Sequence, residues 1–394
     1  MIPRTRSNLP TMKHIISLAL IVSSFAFPHL ASSAQPNIVL FLADDLGWSD
    51  LGCYGADLHE TPHLDQLAQQ GMRFTEAYAM SVCSPSRAAL LTGKHAARLH
   101  ITIWAEGSRS GPKNRKLLQG DSLHDLPHTE ATLARRLHNA GYLTALVGKW
   151  HLGDADHYPE THGFDVNIGG TRWGAPQTFF WPYSGSGHFG SEFRFIPHLE
   201  FGQPGEYLTD RLTDEALRVI DRADGRPFFL YLAHHAPHTP IQAKADDIKY
   251  FEAKLRPGMH HQNAVYAAMV KSLDDSVGRV LEHLKKRRLE QNTIIVFTSD
   301  NGGFIGLDKG QTVPVTSNAP LRSGKGPLRG RHSSAPHRAM ARGDVPEHRM
   351  SRARDSNGLV SHVRCHRLRR AIKRTCRWGG SKTPAAKSGR EARP

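Results

Sequence analysis

Asn37-Ile38-Val39-Leu40-Phe41-Leu42-Ala43-Asp44-Asp45 is the stretch on which the fold turns. Seven uncharged residues, six of them apolar, run straight into two adjacent carboxylates. A strand with one wet face would alternate apolar and polar residues. A continuous apolar run is how a strand covered on both faces reads. Residues 142–147, 227–233 and 293–299 repeat the pattern. Helical stretches separate them. Residues 61–71 form the most clearly punctuated one: Thr61 can cap, Pro62 suits the first helical position, and Gly71 can take a left-handed stop. Residues 131–140, 212–223 and 264–289 are the others. Strands alternating with helices predict an α/β fold, a mostly parallel central sheet with helices on both faces.

Each strand also ends in a polar cluster. Asp44-Asp45 follow the first and Gly148-Lys149-Trp150-His151 the second. His234-His235-Ala236-Pro237-His238 follow the third and Asp300-Asn301-Gly302-Gly303 the fourth. In open α/β sheets, ligands bind beyond the carboxyl ends of the strands, so the four clusters are expected to converge. Three carboxylates and an amide oxygen make a hard, anionic cage, suited to Ca²⁺ or Mg²⁺ rather than zinc. Asp44 and Asp45 would repel each other if buried without a cation. Residues 101–121 and 158–205 show no sustained period and are expected to be long loops over the site. His234 and His235 are read as structural before catalytic, and Trp48, His63 and His95 as structural or rim residues.

Between the first two strands stands Cys83-Ser84-Pro85-Ser86-Arg87-Ala88-Ala89-Leu90-Leu91-Thr92-Gly93. A cysteine opening an Ala-Leu-rich helix lies where the helix dipole favours anions. The pattern Cys-x-Pro-x-Arg with the following helix and Thr-Gly resembles the signature of the sulfatase family, the formylglycine-dependent, arylsulfatase-like branch of the alkaline phosphatase-like superfamily. Further matching motifs extend the resemblance over residues 36–326. It implies that Cys83 is oxidised to formylglycine by a formylglycine-generating enzyme. The hydrated aldehyde then attacks the sulfur of a sulfate ester on a small molecule or polysaccharide. Asp44, Asp45, Asp300 and Asn301 match the ligands of one metal ion, counted together with the side chain at Cys83. Arg87 matches the residue that steadies the hydrate. Lys149 and His151 lie in the family's Gly-Lys-Trp-His-Leu-Gly run, His238 in its His-x-Pro segment, and Lys325 matches a second sulfate-binding lysine. A phosphonate monoester or phosphodiester hydrolase of the same superfamily is the enzymatic alternative; an inactive truncated sulfatase is the non-catalytic one.

The 394 residues carry a formal net charge of +15. From Pro327 onward there are 18 Lys+Arg against 4 Asp+Glu, so the preceding residues carry only +1. The basicity belongs to one tail and is no sign that the body binds nucleic acid. Residues 1–34 read as a signal peptide: Arg4, Arg6 and Lys13, an apolar run over 15–27, then Ser32-Ser33-Ala34. An exported protein, periplasmic or secreted and without a stable membrane span, is expected. Four cysteines are too few for a disulfide framework.

Residues 35–326 are expected to form the catalytic domain and 327–394 a basic tail without a core. After Lys325-Gly326 similar proteins continue with Tyr-Glu-Gly-Gly-Ile-Arg-Val-Pro and an apolar strand ending in Trp-Pro-Gly. Here Leu328-Arg329-Gly330-Arg331-His332-Ser333-Ser334-Ala335-Pro336 stands instead. Codons for those residues, read one base later, can encode Tyr-Glu-Gly-Gly-Ile-Arg-Val-Pro, and any codons for Met340-Ala341 then give Trp. The reading is a lost frame between Lys325 and Leu328, an out-of-frame tail with irregular or isolated helical structure, and a missing C-terminal subdomain.

Overall fold

The computed structural model describes residues 35–109, 120–321, 323–326 and, as backbone, 340–342. In chain order these form β1 (Asn37–Ala43), α1 (Pro62–Gln70), β2 (Met72–Arg73), α2 (Cys83–Thr92), α3 (Ala96–Leu99), α4 (Ala105–Arg109), α5 (Leu133–His138), β3 (Leu143–Gly148), β4 (Val166–Ile168), α6 (Leu208–Arg222), β5 (Phe228–Ala233), α7 (Ala245–Glu252), α8 (Ala264–Lys286), β6 (Thr293–Ser299) and β7 (Met340–Arg342). The sheet order is β2-β7-β6-β1-β5-β3-β4. The five strands from β6 to β4 are parallel, with Leu40 level with Tyr231 on one side and Val296 on the other. β7 runs antiparallel to both its neighbours.

The pleat explains why β1 is apolar throughout. Val39, Phe41 and Ala43 pack with Leu230, Leu232, Ile295 and Phe297 under Leu64 and Leu67 of α1, Leu212 and Val219 of α6, and Leu273 and Val277 of α8. Leu40 and Leu42 point the other way, with Leu146, Phe229 and Tyr231, under Ala88 and Leu91 of α2 and Ala134 of α5. Successive side chains enter opposite cores, so neither parity can be polar. The expected mostly parallel sheet between two helical layers is the fold observed.

Several local expectations are corrected. Thr61 does not cap α1; its hydroxyl accepts the N–H of Gly52 at 2.8 Å and donates to Asp65 at 3.0 Å. The first-turn N–H groups of His63 and Leu64 instead donate to the Asp274 carboxylate of α8, at 3.1 and 2.8 Å. A distant acid can serve the orphan donors as well as a local hydroxyl can. Gly71 is extended at φ −130°, because the chain passes directly into β2. α6 begins four residues before the expected 212. The stretches read as loops contain α4 and β4.

The leader at 1–34, Cys365, Cys376 and nearly all of the basic tail lie outside the described residues. Met340–Arg342 are the exception. They pair as β7 between β2 and β6, where only irregular or helical structure was expected. An open edge of β6 offers unpaired N–H and C=O groups to any extended segment that reaches it. Among the described residues no helix is long and apolar enough to cross a membrane.

Candidate active site

The carboxyl ends of β1, β3, β5 and β6 deliver their polar clusters to one edge of the sheet. Backbone pairing continues just past the strands: Asp300 N–H donates to Ala43 at 3.0 Å, Lys149 N–H to Ala233 at 2.7 Å and Asp44 N–H to Ala236 at 3.1 Å. Close backbone approach demands Gly148: its φ is +108°, and a Cβ there would meet the Ala233 carbonyl oxygen at 2.0 Å. Asp45 and His151 take φ of +64° and +59°, a conformation costly for residues with a Cβ. Both are aimed by that turn into the same cluster.

Charges there are buried and mutually compensating. Asp44, Asp300, Arg87 and Lys149 are all 1 % exposed or less. Lys149 Nζ donates to Asp44 Oδ2 at 2.6 Å. Arg87 Nε donates to Asp300 Oδ2 at 2.9 Å and its NH1 to the Lys149 carbonyl at 3.0 Å. Its second amino group lies 3.6 Å from Asp44 Oδ1. Lys325 Nζ donates to Asp45 Oδ2 at 2.7 Å and lies 2.7 Å from His238 Nε2. Burial works to raise the Asp44 carboxyl, but Lys149, His238 and Arg87 outweigh it and hold it below the usual range. Burial likewise opposes ionisation of Asp45, and His238 and Lys325 overcome it. His238 itself is pushed down by burial despite the nearby Asp45.

Cys83 is the first residue of α2 and 2 % exposed. Burial would raise its thiol, yet Lys149, His151 and Lys325 bring it below its ordinary value. That is the environment of an activated sulfur, not of an inert core cysteine. Asp44, Cys83 and Asp300 each offer a ligand atom within 4.8 Å of the others, as do Asp44, Asp45 and His238. Asn301 donates its Nδ2 to Asp45 Oδ1 at 2.6 Å, while its buried Oδ1 has no hydrogen-bond partner. An orphaned amide oxygen beside three carboxylates is a donor set that fits a hard divalent cation.

All ten residues singled out from the sequence therefore meet at this edge. His234 turns away to Ser276, its Nε2 2.9 Å from the hydroxyl, and His235 is buried with no hydrogen bond to either ring nitrogen. His95 caps α3 by accepting the Ala97 N–H at 3.2 Å. Glu106 was missed. Its Oε2 lies 2.5 Å from His151 Nε2, and its Oε1 accepts the Gly174 N–H at 3.0 Å. Burial opposes His151's charge, but Glu106 and Cys83 raise it above the ordinary imidazole value. The one signal was a carboxylate at a helix start inside an aperiodic stretch.

A family model described as Sulfatase matches residues 36–342. The chain is 35 % identical over 328 residues to N-acetylgalactosamine-6-sulfatase of Canis lupus familiaris, covering 78 % of this chain and 57 % of that protein. It is 32 % identical over 312 residues to arylsulfatase J of Mus musculus, covering 75 % of this chain and 46 % of that one. The chain thus spans about half the length of these curated relatives. The crystal structure of Ps i-CgsB in complex with k-i-k-neocarrahexaose superposes with a TM-score of 0.63 at 32 % identity, over 79 % of this chain and 66 % of that chain.

Proposed function

Because the chain belongs to the sulfatase family, we propose that it hydrolyses sulfate esters, with residues 35–326 as its catalytic body and residues 1–34 as an export leader. The observation that carries the proposal is the setting of Cys83: a buried sulfur at a helix N-terminus, brought below its ordinary pKa by Lys149, His151 and Lys325. Oxidised to formylglycine, the side chain at 83 supplies a hydrated aldehyde as nucleophile. Asp44, Asp45, Asp300 and Asn301, with the side chain at 83, would hold one Ca²⁺ or Mg²⁺, which supplies charge to a sulfate oxygen and to the nucleophile.

The chain's own groups account for the remaining demands. Lys149, Lys325 and His238 present cationic and hydrogen-bonding groups to the oxygens on which charge grows as the ester bond breaks. Arg87, locked on Asp300 and on the Lys149 carbonyl, fixes the start of α2 against the end of β3. His151 is the group placed to hold and release a proton at the nucleophile, and Glu106 keeps that imidazole oriented and charged. The likeness to N-acetylgalactosamine-6-sulfatase and to Ps i-CgsB in complex with k-i-k-neocarrahexaose supports a sulfated saccharide as the substrate class.

The test is hydrolysis by the full chain, co-expressed with a formylglycine-generating enzyme. Aryl sulfate should be cleaved, aryl phosphodiester much more slowly, and mass spectrometry of the Cys83 peptide should show the aldehyde. Cys83→Ala should abolish turnover and leave the fold intact. Full activity in protein whose Cys83 remains a thiol would overturn the mechanism, and a preference for the phosphodiester would overturn the substrate class.

A further inference from the structure

We infer that, in the sulfate-ester hydrolase proposed above, on which this rests, Asp50 is a positioning residue. One oxygen of its carboxylate holds the turn that carries Asp45, and the other holds the segment that leads to Lys325. Asp50 lies in the loop after β1 and is fully buried. Its Oδ2 accepts the Gly47 N–H and the Tyr266 hydroxyl, each at 2.6 Å. Its Oδ1 accepts the Thr316 hydroxyl at 2.6 Å and lies 3.2 Å from His261 Nε2. Burial opposes its ionisation, but His261 and Thr316 help to hold the carboxyl below its usual range. His261 places its other nitrogen 2.6 Å from Asp57, so that imidazole is shared between two carboxylates. Three separate segments thus converge on one buried side chain, and losing it would strand donors from each of them.

The first oxygen acts on Asp45. That residue sits at φ +64°, which a side chain with a Cβ keeps only where its surroundings impose it. The bonds that impose it follow directly. Leu46 N–H donates to Ser299 Oγ at 3.1 Å, and Gly47 N–H donates to Asp50. The Tyr266 oxygen that donates to Asp50 also lies 3.3 Å from the Asp45 carbonyl oxygen. Packing there is close: a Cβ on Gly47 would meet Asp50 Oδ2 at 2.7 Å and Asn318 Oδ1 at 2.8 Å.

The second oxygen acts on Lys325. Thr316 stands two residues before Asn318, whose amide pairs with Gly303 in both directions. It accepts the Gly303 N–H at 3.3 Å and donates to the Gly303 carbonyl at 3.0 Å. The same carbonyl accepts the Lys325 N–H at 3.0 Å. Trp48 and Ser49 donate to the carbonyls of Asn318 and Ser317 at 2.8 and 3.2 Å, which ties this segment back to the loop of Asp50. At the far end of both arms, Lys325 Nζ meets Asp45 Oδ2 at 2.7 Å. Asp50 is therefore the common anchor of a carboxylate that faces the metal position and of a lysine that faces sulfate.

Two nearly isosteric variants cut one arm each: Tyr266→Phe and Thr316→Val. Calorimetric Ca²⁺ binding to the full chain, aryl sulfate kinetics of the formylglycine-matured chain and melting temperatures are the readouts. Tyr266→Phe should weaken Ca²⁺ binding about tenfold, as loss of a group behind a metal ligand does. Thr316→Val should raise KM more than it weakens Ca²⁺ binding. Asp50→Ala should show both defects. Asp50→Asn, which can still accept from Gly47 and donate to Thr316, should recover most of the Ca²⁺ affinity. Lower melting temperatures with Ca²⁺ affinity and KM unchanged in both single-arm variants would show a merely structural role and overturn the inference. Absence of Ca²⁺ binding by the wild-type chain would overturn the proposed metal site and this inference with it.

Discussion

Glu106 and His151, 45 residues apart, meet through a 2.5 Å contact between a carboxylate oxygen and Nε2. Burial works against both charges, yet each holds the other ionised: Glu106 is driven well below the usual carboxylate range and His151 above the usual imidazole range. The depressed acid contributes stability that is present above its ordinary value of 4.5 and is lost as pH falls through its folded value. The raised base contributes stability that is present below 6.5 and is lost as pH rises through its folded value.

Glu106→Gln should therefore remove a stability advantage that is fully present between about pH 4.5 and 6.5. Urea midpoints of the two proteins across pH 4–9 measure it. The difference should narrow above that window as the wild-type His151 loses its proton, and a difference independent of pH would refute the assignment.

Lys149→Met removes the partner of a fully buried carboxylate. Asp44 then keeps only the more distant Arg87, 3.6 Å away, and His238, and losing its nearest partner should cost up to about 3–5 kcal/mol of stability. Loss of a fixed cation aimed at the departing charge should lower kcat/KM by roughly 10²–10³. Urea unfolding and steady-state kinetics on aryl sulfate read the two effects separately.

Chelation should abolish activity while sparing the fold. The three site carboxylates already face three buried or half-buried cations, Arg87, Lys149 and Lys325, so the cluster is neutralised without an ion. The expected result is inactive protein with a nearly unchanged melting temperature, reactivated by Ca²⁺ or Mg²⁺. Unfolding on chelation would show that the ion is structural.

Shifting the frame by one base between the codons for Lys325 and Leu328 should restore Tyr-Glu-Gly-Gly-Ile-Arg-Val-Pro and an apolar strand in place of the present tail. A longer strand beside β6 would bury more of its edge than the three-residue β7 does. A higher melting temperature and higher activity in the frame-restored protein are expected; equal values would refute the lost frame.

The parts that could be foreseen share a physical cause. β1, β3, β5 and β6 are covered on both faces, and continuous burial writes an unbroken apolar run. Their ends were legible because polar residues abruptly follow that run. β2 and β4, two and three residues long, are too short to show a period. The Asp274 carboxylate that caps α1 lies 210 residues from Leu64, so no local pattern announces it. Glu106 escaped for the same reason, since its significance lies wholly in His151.

The near-complete enclosure of Cys83 sets a timetable for the molecule. Cys83, 2 % exposed, in the first turn of α2 and within the electrostatic reach of Lys149 and Lys325, presents no handle to a modifying enzyme once the sheet has closed. The closing pieces come late in the chain: β6 ends at Ser299, and Lys325 follows it. If Cys83 is converted as proposed, its oxidation would have to precede burial, while the chain is still unfolded. Faster folding, ordinarily an advantage, would then compete with maturation, and protein folded before oxidation would be stable but permanently unconverted.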